Sequence, residues 1–158
     1  MKKGFEMTYK RILVPVDGSA TSSKGLDEAL KLARAERARI RLLHVIDDSL
    51  AFNSPDGAGA NYVLEALRSS GREALSKAQE RVRRAKLEAE STLIENFTGR
   101  VAEAIVEQAK RWRADVIVMG THGRRGFGRL LIGSSAELVV RSSSIPVLLV
   151  PGRRGRAR

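Results

Sequence analysis

Residues 116–135 read VIVMGTHGRRGFGRLLIGSS: an apolar run, a glycine- and arginine-rich stretch, then Gly-Ser-Ser. Val116 to Met119 has the composition of a strand buried on both faces, and Ser134 to Arg141 has the spacing of a short helix. A strand-to-helix connection in an α/β unit normally takes 2 to 6 residues. Here it runs from Gly120 to Gly133 and holds five of the chain's fourteen glycines and three arginines. A loop that long at the exit of a buried strand is usually either functional or disordered, and the Gly-Ser-Ser at its end favours function.

The same strand-then-helix order runs outward in both directions. Arg11 to Val16 (RILVPV) is a buried strand, Asp17-Gly18-Ser19 a turn and helix cap, and Leu26, Ala29, Leu30 and Ala33 an inward helical stripe. Ser19, Ser22 and Ser23 read as caps of that helix. Ile40 to Ile46 is a second strand. Asp47 to Asn61, with Pro55, Gly57 and Gly59, reads as a mobile loop. A long helix follows with the stripe Leu64, Leu67, Gly71, Leu75, Ala78, Val82 and Ala85, giving way near Glu90 to a third strand, Thr92 to Phe97. A helix from about Val101, a strand from Asp115 to Met119, the helix from Ser134 and a last strand, Pro146 to Val150, complete the series. Trp112 is expected to pack at the end of the helix that begins near Val101.

Nearly continuous apolar strands alternating with amphipathic helices predict a single α/β domain: a five-stranded parallel sheet, doubly wound in the Rossmann-like manner, with helices on both faces. In such a sheet the ligand site lies beyond the carboxyl ends of the strands, where the strand order reverses. Three features fall there: Asp17-Gly18-Ser19, His44 to Asp47, and the loop from Gly120. At the far end of that loop, Gly133-Ser134-Ser135 opens a helix, where peptide N–H groups and the positive end of the helix dipole favour an anion. Glycine permits close backbone approach to phosphate, and Arg124, Arg125 and Arg129 supply charge. Neither the P-loop pattern GxxxxGK[ST] nor the dinucleotide fingerprint GxGxxG is present.

The 158 residues are 42% hydrophobic and 30% charged, suited to one globular domain. No cysteine is present, which excludes disulfides and thiolate-held metals. The basic opening MKKGFEMTYKR is interrupted by Glu6, and the next apolar run is too short for a signal sequence, so a cytoplasmic location is expected. Met7, just ahead of the first strand, makes residues 1–7 an N-terminal extension. The net charge of +11 invites a polyanion, yet four charges lie in the tail PGRRGRAR and aromatics are only 4%. The stretch Arg72 to Glu90 interleaves six basic with four acidic residues as a solvated face. Nucleic acid is therefore disfavoured as a partner, and no membrane segment is expected.

Gly120-x2-Gly123-x9-Gly133-Ser134 fits G-x2-G-x9-G-[ST], and with it the chain resembles the ATP-binding branch of the universal stress protein family. Ile12 to Ser19 (ILVPVDGS), Leu42 to Ile46 (LLHVI) and Ile145 to Val150 (IPVLLV) are similar to that family's first, second and last strands. The resemblance covers about residues 8–151, leaving 152–158 as a basic disordered tail, and implies the adenine nucleotide alpha hydrolase-like fold. It implies a site for ATP, or another adenine nucleotide, with Mg²⁺. Asp17 would lie by the ribose and metal-bridged phosphates, touching the metal through them, and Pro15 would also belong to the nucleotide site. Val45 would meet adenine through its backbone, and Met119 and Gly120 would flank base and sugar. His122, Gly123, Gly133, Ser134 and Ser135 would surround the phosphates. The chain departs from the family at Gly99-Arg100-Val101, where Gly-x-Pro is frequent.

The expected function is a nucleotide-responsive regulatory module of stress response with at most slow ATP turnover. It is expected to form a homodimer through Pro146 to Val150, whose edge would otherwise present unpaired backbone. His44 is read as a strand-end histidine hydrogen-bonded in the core. No base is oriented for catalysis, so no catalytic residue is assigned. Two alternatives use the same residues: a true ATPase or phosphotransferase in the same crevice, or a nucleic-acid binder acting through the basic tail.

Overall fold

The apolar runs form five strands, β1 (Arg11–Pro15), β2 (Arg39–Asp47), β3 (Ala89–Asn96), β4 (Val116–Gly120) and β5 (Val147–Val150). All pair in parallel in the order β3-β2-β1-β4-β5. The computed structural model describes residues 8–52, 57–96, 100–121 and 132–152. Strand order reverses between β1 and β4, so the carboxyl ends of these two strands diverge into opposite crossovers and leave a crevice there.

Alternate residues of each strand feed two cores. Ile12, Val14, Ile40, Leu42, Val116 and Val118 face helices α1 (Ala20–Glu36) and α3 (Gly57–Arg84). Leu13, Leu43, Ile117 and Met119 face α4 (Val101–Trp112) and α5 (Ser134–Ser142). Helices therefore cover both faces, as double burial of the strands demands. Fully burying each Leu, Ile or Val contributes about 1.5–3 kcal/mol.

Three helices end in the same way. Ala38, Leu87 and Ala114 donate their N–H groups to the carbonyls of Ala33, Val82 and Ala109, closing α1, α3 and α4 with the Schellman bond. The residue before each donor is left-handed: Arg37 (φ 52°), Lys86 (φ 59°) and Arg113 (φ 56°). Glycine usually holds this position, and a residue with a Cβ costs about 1 kcal/mol there.

Two expectations are corrected. The stretch 47–61 is not simply a loop: a short helix α2 (Ser49–Phe52) buries Ala51, and α3 already begins at Gly57. Glycine content suggested a break, but Gly57 and Gly59 lie in the first turn of α3, where a helix tolerates glycine better than in its interior. At the other end, α3 stops at Arg84 and β3 starts at Ala89, so 85–90 is not helical. The left-handed cap at Lys86 turns the chain back, and β3 pairs with β2 from Ala89 onward. Gly71, inside α3, permits close approach to the sheet: a Cβ there would lie 2.6 Å from the His44 ring and 2.7 Å from Leu93. Trp112 is buried at the end of α4, with the Arg41 guanidinium 4.8 Å from its ring centre.

Candidate functional site

The turn after β1 is locked by short-range bonds. Asp17 Oδ1 accepts the Ser19 N–H at 2.8 Å, Ser19 Oγ caps α1 by accepting the Ser22 N–H at 3.1 Å, and Ser22 Oγ accepts the Asp17 N–H at 3.2 Å. Gly18 provides the positive φ of 80° that the turn needs. On the other side of the reversal, Gly120 lies so close to α1 that a Cβ would be 2.6 Å from the backbone carbonyl of Thr21. The end of β4 and the first turn of α1 are thus in direct backbone contact.

The third wall is the start of α5. Gly133 donates its N–H to the Thr121 carbonyl at 2.6 Å, and Thr121 donates to Val150 at 3.0 Å, so the two ends of the long loop are tied together beside β5. Gly133 is the N-cap without a side-chain cap, and the first helical bond is Glu137 N–H to the Gly133 carbonyl. Among the described residues, no acceptor serves the N–H groups of Ser134, Ser135 and Ala136. These are the orphan donors of a helix N-terminus, the arrangement that suits a phosphate oxygen.

The fourth wall is β2, which runs beyond the end of β1. Leu43 gives its carbonyl to the Val16 N–H at 2.8 Å. In a parallel ladder, residues two apart turn their peptide groups to the same side, so Val45 presents its N–H and C=O past the end of β1. His44 is buried, and its Nδ1 donates to the Val16 carbonyl at 2.7 Å, fixing β2 to the β1 turn.

These walls enclose a cavity of about 520 Å³, within the range of small-molecule sites. Of the residues expected at a site, Pro15, Asp17, Val45, Met119, Gly120, Gly133, Ser134 and Ser135 all line it. His122 and Gly123 lie outside the described residues, as does Gly99. The stretch His44 to Asp47, expected at the crevice, lines it throughout, whereas sequence reasoning missed Ser22, Leu67 and Ser70, together with Val101, Ile105 and Ala136. Leu67 was recognised only as part of the inward stripe of the long helix.

Charge around the mouth is organised. Arg68 on α3 grips Glu95 of β3 through Nε at 2.7 Å and Nη2 at 2.9 Å, and this hydrogen bond holds the Glu95 carboxyl below its usual range. Asp47, in the cavity wall, accepts the Ser49 N–H at 3.2 Å. The next residue, Asp48, is fully buried, among the described residues both its carboxyl oxygens lack a hydrogen-bond partner, and burial raises its pKa. Among the described residues, no group of three His, Asp or Glu side chains is arranged to hold a metal ion. Asp17 and Asp47 are carboxylates that line the same cavity as the start of α5.

The universal stress protein family model matches residues 8–151. A universal stress protein of Methanocaldococcus jannaschii is 34% identical over 145 residues, 92% of this chain and 84% of that protein. The solved structure of another universal stress protein from that organism superposes with a TM-score of 0.83 at 25% identity, covering 94% of this chain and 99% of that one. A universal stress protein of Archaeoglobus fulgidus, solved in complex with dAMP, is 26% identical with a TM-score of 0.65, covering 90% of this chain and 98% of that one. The chain belongs to the universal stress protein family.

Proposed function

We propose that the crevice binds an adenine nucleotide, ATP with Mg²⁺, and that the protein is a nucleotide-responsive regulatory module of stress response. The observation that carries this reading is the start of α5: three peptide N–H groups, from Ser134 to Ala136, with no acceptor among the described residues, belong to the wall of a cavity that Val45 also lines. The first group suits phosphate and the second suits a purine edge. The carboxylate of Asp17, fixed in its turn at the same end of the sheet, suits a ribose hydroxyl or a Mg²⁺ ion that arrives with the phosphates. The dAMP complex of the Archaeoglobus relative supports the adenine assignment.

A regulatory role fits better than an enzymatic one because the described crevice holds no oriented general base. Its histidine, His44, is buried and engaged with the Val16 carbonyl. Nucleotide occupancy would act on the loop whose ends meet at Thr121 and Gly133, next to β5. β5 is one of the two edge strands of the sheet and carries an exposed Leu148, which supports a homodimer through this edge. No described helix is long and apolar enough to cross a membrane, in keeping with the proposed cytoplasmic location. Equilibrium titration with ATP, AMP and dAMP, each with and without Mg²⁺, tests the binding. Steady-state phosphate release tests the role: turnover above about one per second, abolished by crevice substitutions, would make the protein an enzyme.

A further inference from the structure

The two edges of the sheet are finished differently. β5 is 4 residues long and lies between Pro146 and Pro151, neither of which has an N–H to offer. β3 is 8 residues long and pairs with β2 at every position from Ala89 to Asn96, so no bulge interrupts it. Its sequence, AESTLIEN, holds no proline, glycine or lysine. Among the described residues, no strand lies on its outer side. Soluble proteins usually blunt a long, regular edge of this kind, because its unpaired peptide groups accept another strand.

Which groups face outward follows from the ladder. Leu43 gives its carbonyl to the Val16 N–H, so the peptide groups of Leu43 and Val45 turn toward β1 and those of His44 and Ile46 toward β3. His44 is paired with Leu93, and in a parallel ladder it bonds the residues that flank its partner, Thr92 and Ile94. The N–H and C=O groups of Ser91, Leu93 and Glu95 are therefore the ones on the open side. Two carboxylates on β3 could repel a partner strand, yet each is engaged within its own subunit. Glu95 is gripped by Arg68 of α3, and Glu90 accepts from Arg41 Nε at 3.0 Å, whose guanidinium lies over Trp112 of α4. Neither is left as the uncompensated charge that guards many edges.

We infer that β3 pairs with β3 of a second copy of this chain, antiparallel about a two-fold axis through Leu93, so that two five-stranded sheets join edge to edge. The strand's own sequence selects that partner. A two-fold contact is self-complementary, and an antiparallel pair about Leu93 opposes residues equally far from it on either side. Leu93 then meets its own copy, Ser91 the partner's Glu95, Thr92 the partner's Ile94 and Glu90 the partner's Asn96. Leucine faces leucine, a β-branched pair lies on each side of the axis, and each carboxylate faces a side chain that can donate a hydrogen bond. Moving the axis one residue either way sets a carboxylate against an apolar side chain, Glu90 against Ile94 or Glu95 against Leu93. A strand of unrelated sequence has no such match built in. The edge is the one remote from β5, and the contact requires neither nucleotide binding nor pairing through β5.

Sedimentation velocity of the full chain from about 10 µM to about 1 mM, with hydrogen exchange of β3 over the same range, tests the pairing. Both are measured in the wild type and in Leu148→Arg, which separates this edge from β5. Leu148→Arg is expected to associate as its concentration rises, and exchange at the Ser91, Leu93 and Glu95 amides to slow about threefold or more. Ser91→Pro removes one outward N–H and leaves the bonds to β2 in place, while Thr92→Lys sets an edge lysine against the partner's Ile94. Each substitution, added to Leu148→Arg, is expected to keep the melting temperature within a few degrees and to raise the concentration of half-association about tenfold or more. If Ser91→Pro melts lower, Thr92→Lys carries the comparison. A synthetic peptide of residues 89–96 is expected to dissociate the pair, and a scrambled peptide of the same composition is not. Monomeric Leu148→Arg at every concentration, association unchanged by the substitutions, exchange of the three amides independent of concentration, or equal action of the scrambled peptide would each overturn the inference.

Discussion

His44 Nδ1 lies 2.7 Å from the Val16 carbonyl oxygen, so a side chain of β2 holds the chain as it leaves β1. The bond is buried and lies directly before Asp17, whose turn forms one wall of the crevice. His44→Phe keeps a ring but removes the donor, leaving the Val16 carbonyl unsatisfied in this contact. Unfolding in urea should show a loss of about 1–3 kcal/mol. Weaker ATP binding should accompany it, and unchanged stability would show that the bond does not hold the turn.

Gly120 is fixed by contact and not by an unusual backbone angle. Alanine there would put a Cβ 2.6 Å from the Thr21 backbone and 2.9 Å from the Ser22 nitrogen, so the first turn of α1 must shift. Gly120→Ala should cost about 1–3 kcal/mol by thermal or urea unfolding and weaken nucleotide binding. Gly152→Ala is the contrast, because its Cβ would meet only the Thr21 methyl at 3.1 Å. Comparable losses in the two variants would contradict the contact argument.

Asp48 makes stability depend on pH in a defined direction. Burial raises its folded-state pKa above the ordinary value near 3.8, so the folded chain holds the proton more tightly than the unfolded chain. That stabilising contribution is complete below the unfolded pKa and is lost as pH rises through the raised folded pKa. Asp48→Asn cannot ionise. Its Tm relative to wild type should therefore rise between about pH 4 and pH 8, and a difference independent of pH would contradict the assignment.

Leu148 is 43% exposed on the edge strand β5. If β5 is the dimer edge, Leu148→Arg should halve the mass measured by light scattering at micromolar concentration while leaving Tm within a few degrees. A wild-type monomer under the same conditions would contradict the proposed dimer.

The fold was legible wherever burial on both faces writes a continuous apolar run, as in Ile12 to Val14, Leu42 to Leu43 and Val116 to Met119. The turn Asp17-Gly18-Ser19 was legible because its residues bond to their own backbone. The start of α3 was not, since glycine content argues for a loop and only packing against α2 and the sheet decides otherwise. Ser54-Pro55-Asp56 is the signal that was available: it has the composition that opens helices. Individual donors were also beyond reach, because Gly133 spends its N–H on Thr121 and leaves the cavity to Ser134, Ser135 and Ala136. The shared left-handed caps were invisible for a simpler reason: Arg37, Lys86 and Arg113 carry no glycine to mark them, and only the observed backbone shows the turn.

The central claim is that the start of α5 and the ends of β1, β2 and β4 form one site for an adenine nucleotide. Calorimetric titration of ATP with Mg²⁺ into the wild type and into Gly133→Val tests it most directly, since valine puts a branched side chain into the cavity wall. The account predicts saturable binding, one nucleotide per chain, weakened about tenfold or more by the substitution, equivalent to about 1.4 kcal/mol. No detectable binding by the wild type, or equal binding by the variant, would contradict it.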